Sequence, residues 1–139
     1  MPASATAIVN FRLMPGDSVT WLLRQVNEIV DDARVTVELV EGTGREASAV
    51  SPDTSEGYRL IASAIRETLG ASLVAPYLVM GGTDARNFEL VSRNVYRFAP
   101  IVATGETMGL LHSTNERVSV DNYLNAVRFY RRLIEASAR

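Results

Sequence analysis

The stretch that decides the fold is ATAIVNFRLMPGD, residues 5–17, in which apolar and polar side chains alternate before a turn. Alternation with a period of two predicts a half-buried strand over residues 5–13. One face of that strand would carry Ala5, Ala7, Val9, Phe11 and Leu13. Pro15-Gly16-Asp17 predicts the turn that ends the strand, because these residue types favour turn backbone.

The residues after this turn complete a strand–helix–strand pattern. Apolar side chains recur at helical spacing and predict an amphipathic helix over residues 18–31, capped by Asp17 or Ser18. Alternation then resumes and predicts a second strand over residues 34–40. We therefore expect half of an open-faced βαβ sandwich in this part of the chain.

The composition changes in residues 41–55, which are rich in glycine and serine and favour a domain boundary. Asp53 and Glu56 have the spacing of a capping box and predict a helix that runs to about Leu69. The core face of this helix would comprise Tyr58, Ile61, Ala62, Ile65 and Leu69.

The rest of the chain alternates between buried strands and helices. Nearly continuous apolar side chains predict a strand over residues 73–80 that is buried on both faces, and a shorter strand is expected over residues 95–98. A final helix is predicted over residues 120–136. This order favours an α/β layer structure. Because ligands in such folds bind beyond the carboxyl ends of strands, Gly81-Gly82 marks a candidate site.

Charge and composition exclude several classes of function. The net charge is −2, so no nucleic-acid partner is expected. Cysteine is absent, which excludes disulfides, thiolate metal ligands and cysteine nucleophiles. No apolar run has the length of a membrane span, so no membrane partner is expected, and the first residues lack the features of a signal peptide. A cytoplasmic location is therefore favoured, unless a targeting segment precedes Met1.

Two groups of residues are candidates for binding a substrate. Arg12 and Asn10 share the polar face of the first strand, and a guanidinium presents a planar fork that matches a carboxylate. The alternative is an exposed arginine on a sheet surface. Gly82, beside Gly81, would let the backbone approach a ligand closely, and Thr83 would offer a hydroxyl. The alternative there is an ordinary strand-to-helix turn.

His112 is the chain's single histidine. One imidazole cannot make a zinc site, which typically takes three or four protein ligands. It would act as a general base only with a partner that the sequence does not identify. The alternative is a structural or surface histidine.

Three segments in order carry a resemblance to a known family. PASATAIVNFR, residues 2–12, resembles a strand of its lid domain, and GGTDAR, residues 81–86, resembles its glycine-rich substrate turn. HSTNER, residues 112–117, resembles its C-terminal histidine motif. The chain is similar to the zinc-dependent aminoacylase and carboxypeptidase family, which includes acetylornithine deacetylase and succinyl-diaminopimelate desuccinylase. YRFAP, residues 96–100, is most similar to the Gly-X carboxypeptidase branch.

The resemblance implies a fold and a function. Residues 1–44 would be the second half of a lid or dimerisation domain, and residues 45–139 would be the C-terminal part of a zinc-peptidase-like α/β catalytic domain. An intact member holds two zinc ions and cleaves amide or peptide bonds near a free carboxylate with zinc-bound water. Its substrates are peptides or N-acyl amino acids.

The resemblance also assigns roles to the candidate residues. His112 would be a zinc ligand, Arg12 would hold the substrate carboxylate, and Thr83 and Gly82 would lie against the substrate. Asn10 would assist beside the arginine. The matching Asn115 and Glu116 are expected to have supporting roles. Ser113 stands where the family usually has glycine, which puts the local geometry of His112 in doubt.

The family's other zinc ligands and its general-base glutamate have no counterpart in this chain. We therefore expect a C-terminal fragment that binds zinc weakly or not at all and is inactive alone. One alternative is a non-catalytic remnant that forms a homo-oligomer through the lid half. The other is an unrelated small α/β binding domain.

Overall fold

The computed structural model describes residues 3–138. These residues form four α-helices: α1 (Val19–Val30), α2 (Glu56–Leu69), α3 (Gly105–Gly109) and α4 (Val120–Ser137). A 3-10 helix, Asp84–Leu90, precedes α3. Pro2, which lies in the first of the three resembling segments, and the end residues Met1 and Arg139 of the two predicted domains lie outside the described part.

The chain forms two compact units. The first runs to Val50 and includes Met80–Thr83, and the second consists of Ser51–Val79 and the chain from Asp84 onward. Helix α1 belongs to the first unit, whereas the other helices belong to the second. The division into a lid part over residues 1–44 and a catalytic part over residues 45–139 stays a prediction.

Helix α1 confirms the predicted helix over residues 18–31. Ser18 is its N-cap, and its hydroxyl accepts from the Trp21 amide at 3.1 Å. The Glu46 carboxylate accepts from the Val19 amide at 3.1 Å, so two amides of the first turn are satisfied. The helix ends at Asp31, whose φ of 40° is left-handed and whose amide donates to Asn27.

Helix α2 also forms where the sequence predicts it, but the predicted capping box is wrong. Ser55, not Asp53, is the N-cap, because its hydroxyl accepts from the Tyr58 amide at 3.1 Å. The same hydroxyl bonds the Tyr96 hydroxyl. Gly70 ends the helix with a φ of 65°, a conformation that glycine adopts without strain.

The core of the second unit lies where α2 packs on α4. Phe129 of α4 is 1% exposed, and its ring centroid lies 5.1 Å from that of Phe98. Ala64 and Ile65 of α2 complete the buried cluster. The predicted core face of α2 is therefore correct at the buried Ala62 and Ile65, and the predicted Ile61 and Leu69 pack against the core cluster. Burial of Ala64 was not expected. The predicted final helix is confirmed by α4.

The predicted βαβ sandwich and α/β layers are wrong: residues 3–138 contain helices and no strand. A strand needs a neighbour with which it shares a ladder of backbone hydrogen bonds. No such ladder joins the segments predicted as strands within the described part of the chain. Several of their apolar side chains are accordingly uncovered, with Ile8 81% and Tyr77 83% exposed, although Val74 packs against the core cluster.

The segment around the predicted strand at residues 95–98 shows what replaces a ladder. The Ser51 hydroxyl accepts from the Val95 amide at 2.8 Å and donates to the Val95 carbonyl at 3.0 Å. The Asn122 side chain does the same for Val102, at 3.0 and 3.2 Å. Polar side chains thus satisfy backbone groups that a neighbouring strand would otherwise satisfy.

Candidate functional site

Arg12 and Gly82 are brought together in the first unit, although they are far apart in sequence. A Cβ added to Gly82 would lie 3.6 Å from Nη1 of Arg12. Gly82 does not have the positive φ seen at Gly16, Gly42 and Gly70. Its missing side chain therefore matters for the space that it leaves beside the guanidinium, not for backbone conformation.

The other two predicted substrate residues, Asn10 and Thr83, belong to the same unit and are exposed. Asn10 lies two residues before Arg12, outside any helix. Thr83 lies between Gly82 and the 3-10 helix, whose first residue is Asp84. Their roles at a substrate stay predictions, as do those of Arg12 and Gly82.

His112 lies in the second unit, in the turn that connects α3 to α4, and is exposed. Its φ is 59°, in the left-handed region that few non-glycine residues adopt. Such backbone costs about 1–3 kcal/mol and persists where the surroundings hold it. The support is direct, because the His112 amide donates to Oε2 of Glu116 at 3.2 Å.

The rest of the histidine turn is held by short-range hydrogen bonds. The amide and the hydroxyl of Ser113 both donate to the Leu110 carbonyl, at 3.0 and 2.8 Å. The Glu116 amide donates to the Ser113 carbonyl at 3.3 Å. Asn115 is left-handed, with a φ of 67°, whereas Ser113 is not. The non-glycine residue at position 113 is thus accommodated, and its hydroxyl adds a hydrogen bond to the turn.

Arg117 connects this turn to α3. Its Nη2 lies 3.0 Å from Oε1 of Glu106, and its Nη1 donates to the Asn115 carbonyl at 3.4 Å. Both partners of the ion pair are largely exposed, so the pair alone contributes little to stability. The pair does restrain the chain after His112, because it ties Arg117 to Glu106 of α3.

The residues present fit a metal only in part. His112 offers one imidazole on an exposed turn, a ligand type that zinc accepts. Within residues 3–138, no group of three or more histidine, cysteine, aspartate or glutamate side chains could hold a metal ion. The described residues can therefore supply one zinc ligand but not a complete site.

The clearest electrostatic interaction lies away from these residues, between α2 and α4. Both Nε and Nη2 of Arg132 donate to the Glu67 carboxylate, which also accepts from Ser63 at 2.8 Å. These hydrogen bonds, first that from Arg132, lower the pKa of Glu67. The pair joins the two helices and faces the solvent, so we assign it to stability.

Sequence reasoning gave Glu116 only a supporting role and missed Glu106. The signal for Glu116 was its position four residues after His112, which brings a carboxylate back to the histidine amide in a tight turn. Glu106 carries no such local signal, because its contact with Arg117 depends on how α3 is placed.

Comparisons with known proteins agree with the three resembling segments. The model of peptidase family M20/M25/M40 matches residues 5–136. The chain therefore belongs to this peptidase family. The alternative of an unrelated small α/β binding domain is wrong. No solved structure matches the chain.

The chain is similar to carboxypeptidase-like proteins and to N-fatty-acyl-amino acid synthase/hydrolases. A probable carboxypeptidase S-like 2 from Dictyostelium discoideum is 33% identical over 97% of this chain and 26% of its own length. An N-fatty-acyl-amino acid synthase/hydrolase PM20D1 from Xenopus tropicalis is 36% identical over 99% of this chain and 27% of its own length. The chain thus spans about a quarter of the length of these relatives.

No helix among residues 3–138 combines the length and the apolar character that crossing a membrane requires.

Proposed function

We propose that this chain supplies the carboxylate-binding residues and one metal ligand of a zinc-dependent hydrolase that cleaves peptide or N-acyl amino acid amide bonds. The observation that carries the proposal is the proximity of Arg12 and Gly82 in a chain that matches the peptidase family over residues 5–136. Two segments that resemble substrate-binding parts of the family thereby meet in one place.

Arg12 is proposed to bind the free carboxylate of the substrate. Its guanidinium presents paired N–H donors in a plane, which match the two oxygens of a carboxylate. A hydrogen bond to a charged group contributes about 1.5–3 kcal/mol. Gly82 leaves space beside this cation, and Thr83 and Asn10 are proposed to donate hydrogen bonds to polar groups of the same substrate.

His112 is proposed to be a zinc ligand through its neutral imidazole. When bound, zinc would polarise the scissile carbonyl and make water a stronger nucleophile. The remaining ligands and the general-base glutamate are proposed to come from residues outside this chain, since the described residues hold no cluster that could replace them. The 139-residue chain is accordingly proposed to bind zinc weakly and to be inactive alone.

The substrate class follows from what the two kinds of relative have in common. A carboxypeptidase acts at the end of a peptide that bears a free carboxylate, and an N-fatty-acyl amino acid bears one too. Arg12 suits either substrate, because its partner would be the carboxylate and not the acyl group. The choice between a peptide and an N-acyl amino acid depends on residues that bind the other side of the amide.

The experiment changes Arg12 to lysine in the polypeptide at its natural length. The matched control is Arg24→Lys on α1, whose guanidinium makes only an exposed pair with Glu28. We expect Arg12→Lys to lower kcat/KM for an N-acyl amino acid by about tenfold or more, through lost paired hydrogen bonds. The control should lie within about twofold of the unchanged enzyme.

A second substrate makes the test specific. If the carboxylate is blocked as an amide, Arg12→Lys should change kcat/KM little, because the ion pair is already gone. An equal loss on both substrates would show that Arg12 acts on the fold and not on the carboxylate, and would overturn this part of the proposal.

A second candidate, a non-catalytic homo-oligomer, is favoured by uncovered apolar surface in the first unit. This unit exposes many large apolar side chains, among them Ile8 at 81%, Val9 at 64% and Ile29 at 82%, and extensive apolar surface is typical of interaction sites. Light scattering of the 139-residue chain tests it: a dimer or larger species is expected, and a monomeric mass would count against it.

A further inference from the structure

The Glu116 carboxylate approaches the backbone of His112, and this contact decides what Glu116 can do. The acceptor Oε2 lies 3.2 Å from the His112 amide nitrogen. That amide belongs to a residue with a φ of 59°, which the chain does not adopt without support. A carboxylate is a strong acceptor for a backbone amide, so the contact is suited to supply that support.

We propose that Glu116 is a positioning residue: it holds His112 in left-handed backbone and thereby sets the direction in which the imidazole leaves the turn. The inference rests on the proposed function, in which His112 is a zinc ligand. It adds that the Glu116 carboxylate orients His112 through the backbone amide and does not itself bind the metal.

Glu116 stabilises the turn through both its side chain and its backbone, which explains how one residue can fix the conformation of the turn. The Glu116 side chain accepts from the His112 amide, while the Glu116 amide donates to the Ser113 carbonyl. Residues 112–116 are thus closed by a side-chain bond and a backbone bond at the same glutamate. Without the carboxylate, His112 is free to return to negative φ, which would turn its Cα–Cβ bond to another direction.

The neighbouring arginine does not compete with the His112 amide for the Glu116 carboxylate. The nearest arginine in sequence, Arg117, makes its ion pair with Glu106 and not with Glu116. Glu106 therefore offers a control: it carries the same charge, braces the same turn and does not contact His112. Changing it should loosen the turn from α3 without removing the acceptor for the His112 amide.

The first measurement is hydrogen exchange of the His112 amide, resolved by NMR in the full 139-residue chain. Glu116→Ala should raise the exchange rate by roughly 2- to 10-fold, the factor for one lost hydrogen bond. Glu116→Gln, whose amide oxygen can still accept, should restore most of the protection. Glu106→Gln should leave the rate of this amide unchanged. Because His112 is the single histidine, its imidazole resonances report the same change without ambiguity.

The second measurement is zinc affinity of the polypeptide at its natural length. Removal of a group that orients a metal ligand typically weakens affinity by about 10- to 100-fold, so Glu116→Ala should fall in that range. Glu116→Gln should retain most of the affinity. If Glu116→Gln loses as much as Glu116→Ala, the carboxylate itself binds the metal or its charge is needed, and the positioning role is wrong.

The outcomes separate this inference from the proposed function. Unchanged His112 exchange in Glu116→Ala would overturn the positioning role whatever zinc does. Unchanged zinc affinity in His112→Ala would overturn the proposed ligand, even with the exchange result as expected. If Glu116→Ala does not fold, Glu116→Leu decides instead, because leucine keeps a long side chain but has no acceptor for the His112 amide. Faster exchange of that amide is expected, and unchanged exchange would overturn the inference.

Discussion

The Arg12 guanidinium lies beside the α-carbon of Gly82, so that an added Cβ would come within 3.6 Å of Nη1. This separation is ordinary van der Waals contact, which means that the free chain would tolerate alanine at position 82. A bound carboxylate would compete for the same space. We propose that the absence of a side chain at Gly82 leaves room for a ligand at the cation.

Gly82→Val tests this explanation. We expect its KM for an N-acyl amino acid to rise by about tenfold or more, because the branched side chain occupies the space beside Arg12. The matched control is Gly81→Val, since a Cβ at Gly81 would meet nothing within 4 Å. Steady-state kinetics of both variants in the polypeptide at its natural length measure KM, and thermal unfolding checks that both variants fold. A larger rise in KM for Gly81→Val than for Gly82→Val would refute the explanation.

The prediction about the core concerns Phe129 of α4, whose buried ring packs with Ala64 and Ile65 of α2 and with Phe98. Phe129→Ala should lower the free energy of unfolding by about 3–5 kcal/mol, because it removes a large buried ring and leaves a cavity. Tyr123→Ala on the same helix, at a side chain 65% exposed, should cost about 0.5 kcal/mol or less. Urea denaturation followed by circular dichroism measures both. Equal losses would show that α4 does not pack as described.

The Glu67–Arg132 pair predicts how stability depends on pH. Hydrogen bonding by Arg132 lowers the pKa of Glu67 in the folded chain below its ordinary value of 4.5. The folded state therefore favours the ionised carboxylate, and the stability gained is present above pH 4.5. It is lost as the pH falls below that value and through the lowered folded-state pKa.

Glu67→Gln should remove the stability that the ionised Glu67 contributes. The free energy of unfolding should then fall less steeply as the pH is lowered. The control is Glu28→Gln on α1, which removes the charge from an exposed carboxylate that pairs with Arg24 at i,i+4 and accepts a hydrogen bond from Gln25. Unfolding midpoints in urea at neutral pH and at several acidic values provide the comparison. If Glu67→Gln follows the same acid slope as the unchanged chain, the pair is not formed in solution.

The helices could be predicted because their signals are local. Apolar spacing and the serine at position 18 determine α1, and the final helix was placed to within a residue of α4. The short α3 was missed: Thr104 and Thr107 form its capping box, but a five-residue helix has too few apolar positions to show a period. The cap of α2 was misplaced because Asp53 and Ser55 are both good caps, and only Ser55 also contacts Tyr96.

The absence of strands from the described residues could not be predicted, because a strand depends on a partner that alternation does not reveal. The segment around Val9 has the alternation of a strand, yet no neighbour pairs with it in the described residues. The candidate site residues were assigned from the resemblance to the family, not from the hydrophobic pattern of the sequence. Sequence alone left open that Arg12 is an exposed surface arginine and that His112 is a structural or surface histidine. It could not show that the His112 amide donates to Glu116.

The central claim is that His112 is a ligand of a zinc-dependent peptidase site, and the metal content of the polypeptide at its natural length tests it most directly. Zinc should be measured by elemental analysis after dialysis, in the unchanged protein, in His112→Ala and in Arg12→Lys. We predict that His112→Ala loses zinc, while Arg12→Lys keeps it and loses only affinity for the substrate carboxylate. Zinc retained in full by His112→Ala would contradict the account.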